Sequence, residues 1–347
     1  MTNVAWLSNV AALTLAAAPA VSDLQRFEAV EPHMGTLVRI VVYAPDADTA
    51  RAAHRAGFDR IRELEAILSD YRPDSELNRL TATAAGTAVR VSADLLAVLK
   101  AAQDLSRATD GAFDVTQGPV IRLWREARQT GRLPDASALA SASARTGFAR
   151  LQLDEVERTV RLASPGMAID LGGIGKGYAA SEALAAIGHA GVRRALVAVS
   201  GDLAFSDAPP GQHGWRLGVH TGDPVDGPLH ERLELTHAAV STSGAGVQHL
   251  EVDGRRYSHI VDPSTAAGLE GGLVVTVIAP HGVEADGLAT AISVLGSERG
   301  LALVESRPHV AALTLERVEG KPHVRRSARF PRPPTYRRDV PAALRVR

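Results

Sequence analysis

The sequence predicts an α+β fold, a single mixed helix-and-sheet catalytic domain. Three observations lead there. Short strand-like runs such as Leu37–Tyr43 (LVRIVVY) and Ala195–Val199 (ALVAV) mix with helical stretches without a regular βαβ cadence. Neighbouring strands are joined by hairpin signals, the clearest being Asp253-Gly254 between Val247–Asp253 and Arg256–Val261. The 347 residues, 45% hydrophobic and 22% charged, have an ordinary globular composition with a sizeable core to bury.

In order along the chain, residues 4–20 (VAWLSNVAALTLAAAPA) are apolar, Ala-rich and end in Ala-Pro-Ala, like the core and cleavage site of an export signal, although no Lys or Arg precedes them. Residues 1–22 are therefore read as a signal segment or an N-terminal extension, 23–320 as the folded domain, and 321–347 as a basic, Pro/Arg-rich solvated tail. Leu37–Tyr43 is a strand. Asp46–Leu68 is a helix with Phe58, Ile61, Leu64 and Leu68 on one face. Ser69–Leu80 is polar and turn-forming. Ser92 caps a helix whose buried stripe is Leu95, Leu99 and Ala102. The stretch 109–124 is too glycine-marked for a long helix. Ala136–Thr146 is a small helix, and Leu151–Leu162 a hairpin. Trp215–His220, Leu233–Thr236, Leu273–Ile278 and Val310–Leu315 are further strands; Ala285–Leu295 and Glu298–Glu305 are helices. After residue 20 no run reaches the ~18 apolar residues of a membrane helix.

Composition excludes several chemistries. There is no cysteine, hence no disulfide, thiolate-bound zinc, iron–sulfur cluster, thiol nucleophile or lipid-modified cysteine anchor. A net charge of −1 provides no field for nucleic acid, and the basic residues crowd into the tail rather than onto a folded face.

Four stretches could carry chemistry. Met167–Ala180 (MAIDLGGIGKGYAA) reads as a short strand ending in Asp170, a glycine turn, and the start of a helix. Helix starts offer free N–H groups and a positive dipole end to phosphate, but a tight turn without a ligand has the same pattern. In His281–Leu295, Asp286 and Thr290 are four apart and share a helix face. They are hard oxygen donors suited to Mg²⁺; equally, an acidic first turn complements the helix dipole. His259, within Tyr257–Pro263, is either a general acid–base near neutral pH or structural. Ala239–Gly246 (AVSTSGAG) is a small-residue loop after a strand, able to meet phosphate or simply to turn. Among only 14 aromatics counted from the composition, Tyr71 and Phe113 lie in polar, turn-rich segments; they could stack on a planar ring or pack over the core.

These pieces, in order, resemble the ApbE family of FAD:protein FMN transferases. The likeness runs through HMGT (33–36), LSDYRPDSELNRL (68–80), TDGAFDVTQGPV (109–120), AIDLGGIGKGYA (168–179), VSGD (199–202), STSG (241–244), YSHIVDP (257–263) and EADGLATAISVLG (284–296). The resemblance implies Mg²⁺-dependent transfer of FMN from FAD to a Thr or Ser hydroxyl of an acceptor protein, a redox-pump subunit or FMN-binding domain, with AMP released. By motif match, Asp286, Thr290 and the Gly173 carbonyl are implied metal ligands. Met34, Tyr71, Ala112, Phe113, Asp114, Asp170, Lys176 and Val261 are implied FAD contacts, and His259 is the implied transfer residue. Two positions depart from some members: Ala289 lacks an oxygen, which bears on a second metal, and Lys176 replaces Glu, which changes the charge near the phosphates. A periplasmic or exported location follows from the N-terminal segment, with the cytoplasm as the alternative.

Two other activities fit parts of the sequence. The same site serves an FAD pyrophosphatase that releases FMN and AMP to water. Gly175–Ala180 also fits G-x-G-x-x-A, with Asp202 read as ending the following strand, as in a nicotinamide-dependent oxidoreductase.

Overall fold

Gln25–His33 (β1) and Thr36–Ala44 (β2) pair antiparallel through a Met34-Gly35 turn, and both turn residues take positive φ, 52° and 70°. That conformation matches the twist of a tight hairpin. The computed structural model describes residues 23–83, 85–220, 229–244, 249–318 and 321–331. The expected signal segment, 1–22, lies outside the described residues, as does the tail from 332 onward.

Ala47–Leu68 (α1) starts behind Asp46, whose side chain accepts the Thr49 N–H at 2.8 Å, and buries the expected face through Phe58, Ile61, Leu64 and Leu68. The segment Ser69–Leu80 is not turn throughout. Ser75 caps Glu76–Ala82 (α2) by accepting the Asn78 N–H at 3.0 Å. Val89–Arg90 (β3) precedes Ala93–Ala108 (α3), capped by Ser92 as expected. The glycine-marked stretch also contains a helix start. Gly118–Thr130 (α4) opens on Gly118-Pro119, where a missing N–H costs nothing, and stops at left-handed Gly131. Ala136–Ser143 (α5) and the hairpin Leu151–Asp154 (β4) with Thr159–Leu162 (β5) follow.

Met167–Ile169 is not a strand; its ladder is one parallel bridge, Gln117 to Ala168. Gly175–His189 (α6) begins within the glycine-rich stretch itself. Ala195–Val199 (β6) turns at Ser200 (φ 58°) into Asp202–Phe205 (β7), so Asp202 opens a strand rather than ending one. Trp215–His220 (β8) pairs with Leu229–Leu235 (β9). The small-residue loop is a strand as far as Ser243, within Ala238–Ser243 (β10), because its Val and Ala residues fill the sheet; 245 and 246 lie outside the described residues. His249–Val252 (β11), Arg255–Asp262 (β12) and Ala267–Glu270 (β13) form a small sheet, with the Asp253-Gly254 turn where it was expected. Val274–Ala279 (β14) leads into Gly282–Glu305 (α7), which is two helical stretches joined at Gly296 (φ 79°). Ala311–Val318 (β15) pairs with Lys321–Arg326 (β16). The expected solvated tail therefore starts too early at 321: β16 extends the sheet, and Phe330 is buried beyond it.

One eight-stranded sheet, ordered β1-β2-β6-β7-β10-β14-β15-β16, organises the domain, and each of its strand pairs is antiparallel. Alternation along the strands sends residues to two faces. Val38, Ile40, Val42, Val197 and Val199 meet α1 and α6 through Phe58, Ile61, Ala183 and Ile187. Val275, Val277 and Ala312 meet α3 and α7. Val41, Phe205, Ile278 and Leu313 point the other way, under Trp215, Leu233 and Phe330. Helix α7 is long and apolar enough to cross a membrane, but it is half buried against the sheet and serves as a core helix.

Candidate active site

Helices α6 and α7 cross with their N-terminal turns in contact. A Cβ on Gly177 would overlap the Gly282 carbonyl oxygen, and one on Gly282 would overlap the Gly177 carbonyl, so only glycine permits the approach. Neither helix caps itself with its own N-cap side chain. Each is capped by the other. Asp286 of α7 accepts the Gly177 N–H at 3.0 Å, and Ser181 of α6 accepts the Gly282 N–H at 2.8 Å. Ser181→Ala is expected to cost about 1 kcal/mol, the usual value of a lost cap. Thermal melts should show a fall of about 2–4 °C.

The glycine turn before α6 faces the same place. A Cβ on Gly173 would lie 2.9 Å from Thr290 Oγ1, which puts the Gly173 backbone against the hydroxyl one turn beyond Asp286. Asp170 is buried; its Oδ1 accepts the Gly172 N–H at 2.7 Å and its Oδ2 accepts Arg125 at 2.5 Å. Lys176 donates to the Gly172 carbonyl at 2.7 Å. Burial pulls the Lys176 ammonium down, but the carboxylates of Asp286, Asp202 and Asp170 outweigh it and hold its pKa above the ordinary lysine value.

Sequence reasoning gave Asp202 no part in this site. It is 4% exposed, and its Oδ1 has no hydrogen-bond partner. Burial, followed by the charge of Asp286, pushes its carboxyl up to about 8. Burial likewise raises Asp286, against the opposing pull of Lys176 and the Gly177 and Lys176 N–H groups. A carboxyl that titrates near 8 when folded but near 3.8 when unfolded keeps a proton in the fold that the open chain has lost. Its contribution to stability is complete below about pH 4 and is lost as pH rises through 8, at up to about 1.4 kcal/mol per pH unit. In EDTA the melting temperature should fall between pH 5 and 8, and Asp202→Asn should flatten that slope.

Arg125 and Asp70 were also missed. Arg125 bridges Asp70 and Asp170 and stacks over the Tyr71 ring, 4.3 Å from its centroid. Burial lowers the Arg125 pKa, but Asp170 and Asp70 more than compensate; burial and Asp170 raise Asp70. Asn78 holds this loop by donating to the carbonyls of Asp70 at 3.0 Å and Arg72 at 2.7 Å. Tyr71 is 74% exposed, so one face of an aromatic ring is presented beside the glycine turn. No local pattern announces Arg125: its partners are 55 and 45 residues away.

The remaining sequence-derived positions divide. Asp170 N donates to the Val115 carbonyl at 2.8 Å, which ties the loop of Ala112, Phe113 and Asp114 to the site. Asp114 Oδ1 accepts from Thr116 N and Oγ1, both at 2.7 Å, and burial raises its pKa. Phe113 packs into the core at 4% exposure. Val261 is buried with Trp124 and Tyr257. His259 lies on β12, which packs against α7, where the ladder to β13 shifts register between Tyr257 and Val261. Such bulges re-aim side chains beside functional sites. Met34 N donates to Glu65 Oε1 at 2.9 Å, and its side chain packs where the two helix-side clusters meet.

The side chains gathered around the α6–α7 crossing offer oxygens, the carboxylates of Asp286 and Asp202 and the Thr290 hydroxyl, beside the Gly173 backbone. They suit a hard divalent cation, and the buried Asp202 Oδ1 among them has no hydrogen-bond partner. Among the described residues no group of three or more His, Asp or Glu side chains stands at metal-binding spacing.

The α+β fold is the class seen in solved flavin transferases. The flavin transferase ApbE of Vibrio cholerae matches with a TM-score of 0.79 at 28% identity, covering 88% of this chain and 98% of that one. The Pseudomonas stutzeri flavinyl transferase ApbE, in its apo form, matches with a TM-score of 0.76 at 30% identity over 88% and 95%. The FAD:protein FMN transferase of Salmonella typhimurium is 30% identical over 294 residues, 83% of each chain. The ApbE family profile matches residues 34–314, and the chain belongs to the ApbE family. No parallel strand pair flanks Gly175–Ala180 among the described residues, so the dinucleotide fold of a nicotinamide oxidoreductase is not present around that motif.

Proposed function

We propose that the chain transfers FMN from FAD to a Thr or Ser hydroxyl of an acceptor protein, releasing AMP, with Mg²⁺ at the α6–α7 crossing. The observation that carries this is the meeting of Asp286, Thr290 and the Gly173 backbone at the start of α6, in a member of a family whose relatives are named FAD:protein FMN transferase. The N-terminal turn of α6 favours the diphosphate through its dipole, and Lys176 adds a positive charge beside it. Asp286, Thr290 and the Gly173 carbonyl hold the cation. A divalent ion held there would supply Lewis-acid stabilisation of charge on the phosphoryl oxygens.

The acceptor oxygen attacks the FMN phosphorus, and the bridging P–O bond breaks. AMP leaves with the bridging oxygen, and His259 takes the hydroxyl proton. Tyr71, its face fixed by Arg125, stacks on a flat ring of FAD. Met34, Ala112, Phe113, Asp114, Asp170 and Val261 complete the FAD pocket. The acceptor is a redox-pump subunit or an FMN-binding domain, and residues 1–22 direct export to the periplasm.

Incubation with FAD, Mg²⁺ and an acceptor domain, followed by mass spectrometry, tests this reading. The expected result is one FMN added per acceptor and an equal amount of AMP. AMP and free FMN without acceptor modification would instead establish a pyrophosphatase.

A further inference from the structure

We infer that Asp202 is a further oxygen donor to the divalent cation, opposite Asp286; this rests on the cation site proposed above. Asp202 follows the sharp Ser200-Gly201 turn and opens β7, a central strand of the sheet. Two residues on, Ala204 belongs to the cluster under α1 and α6, while Leu203 and Phe205 belong to the opposite face. Alternation therefore sends the Asp202 side chain toward the helices, and both α6 and α7 pack on β7. Ser241 is its register partner on β10, which puts a hydroxyl on the same face beside the carboxylate.

One Asp202 oxygen is informative. Oδ1 is buried in a side chain 4% exposed and meets no donor. Among the described residues, no Lys, Arg or His stands within ion-pair distance of Asp202 or Asp286. Lys176, the nearest cation acting on both, is tied to the Gly172 carbonyl. Burying a carboxylate without a partner is strongly unfavourable. A cation between β7 and α7 gives the Asp202 oxygen its partner and lies against the buried Asp286 carboxylate as well. It would then take oxygens from β7, from α7 and from the turn before α6, leaving positions for water and phosphate, as Mg²⁺ prefers.

A purely structural Asp202, protonated and closing the turn, is the competing account. Mn²⁺ binding followed by electron paramagnetic resonance, without FAD and then with one equivalent, separates the two. Asp202→Asn keeps the shape and one side-chain oxygen. It is expected to weaken Mn²⁺ binding at least tenfold while the melting temperature in EDTA stays level or rises. Ser241→Ala, which keeps the carboxylate, is expected to leave Mn²⁺ affinity within threefold of the parent. Wild-type Mn²⁺ affinity in Asp202→Asn, with Asp286→Asn deficient, would overturn this inference and leave the proposed function standing. If neither variant lost affinity, the cation site itself would fall. A lower melting temperature for Asp202→Asn in EDTA would mark the residue as structural and also overturn the inference.

Discussion

Asp286→Asn is expected to reduce FMN transfer about a thousandfold or more while leaving the fold intact. Asp286 has two separable properties. Its oxygen caps α6 through the Gly177 N–H, and its charge lies buried near that of Asp202. The amide oxygen of Asn can still accept the Gly177 N–H, so the cap survives. The charge does not survive, and with it goes the strongest side-chain ligand for the proposed cation. A thousandfold corresponds to about 4 kcal/mol of barrier, a reasonable share for phosphoryl charge stabilisation by a metal. Relief of repulsion from Asp202 should leave the melting temperature in EDTA level or higher. FAD binding in EDTA, read by flavin fluorescence, should stay within a few-fold of the parent. Parental turnover in Asp286→Asn would show that the residue is only a helix cap.

Gly177→Ala is expected to produce the largest loss of stability of any single methyl addition in α6. The new Cβ would overlap the Gly282 carbonyl oxygen and lie 2.6 Å from Asp286 Cβ. The first obstacle is backbone, which cannot rotate away. Separating the helices would stretch both reciprocal caps and open the site. The expected cost is about 3 kcal/mol or more, at the upper end for overpacking. For a domain of this size that is a fall in melting temperature of roughly 6–12 °C. Gly188→Ala is the control. It lies in the same helix, is exposed, and a Cβ there meets nothing within 4 Å. Its helix should gain about 0.5–1 kcal/mol. If both variants melted alike, close helix crossing would not be what Gly177 provides.

What could be read in the sequence was local. Asp46 and Ser92 announce helix starts because a cap needs only the next three residues. The i, i+4 spacing of Asp286 and Thr290 puts both on one helix face without any knowledge of the sheet. The hairpin at Asp253-Gly254 follows from turn chemistry alone. Errors came where neighbours distant in sequence decide. Met167–Ile169 has the apolar content of a strand, but only Gln117 offers it an edge. The small residues around Ser241 look like a loop until β7 and β14 flank them on both sides. Lys321–Arg326 is polar enough for a tail, yet an open edge at β15 recruits it.

The candidate site divides the same way. Order and motif identify the glycine turn, the Asp286–Thr290 face and the family. The tertiary structure decided that α6 and α7 cap each other, that Arg125 joins Asp70 to Asp170 beneath Tyr71, and that Asp202 faces the helices beside Asp286. The physical reason is range. Hydrogen-bonded caps and helix faces are set within one or two turns of chain. Burial and the Coulomb field of a buried carboxylate depend on which segments the packed core brings together.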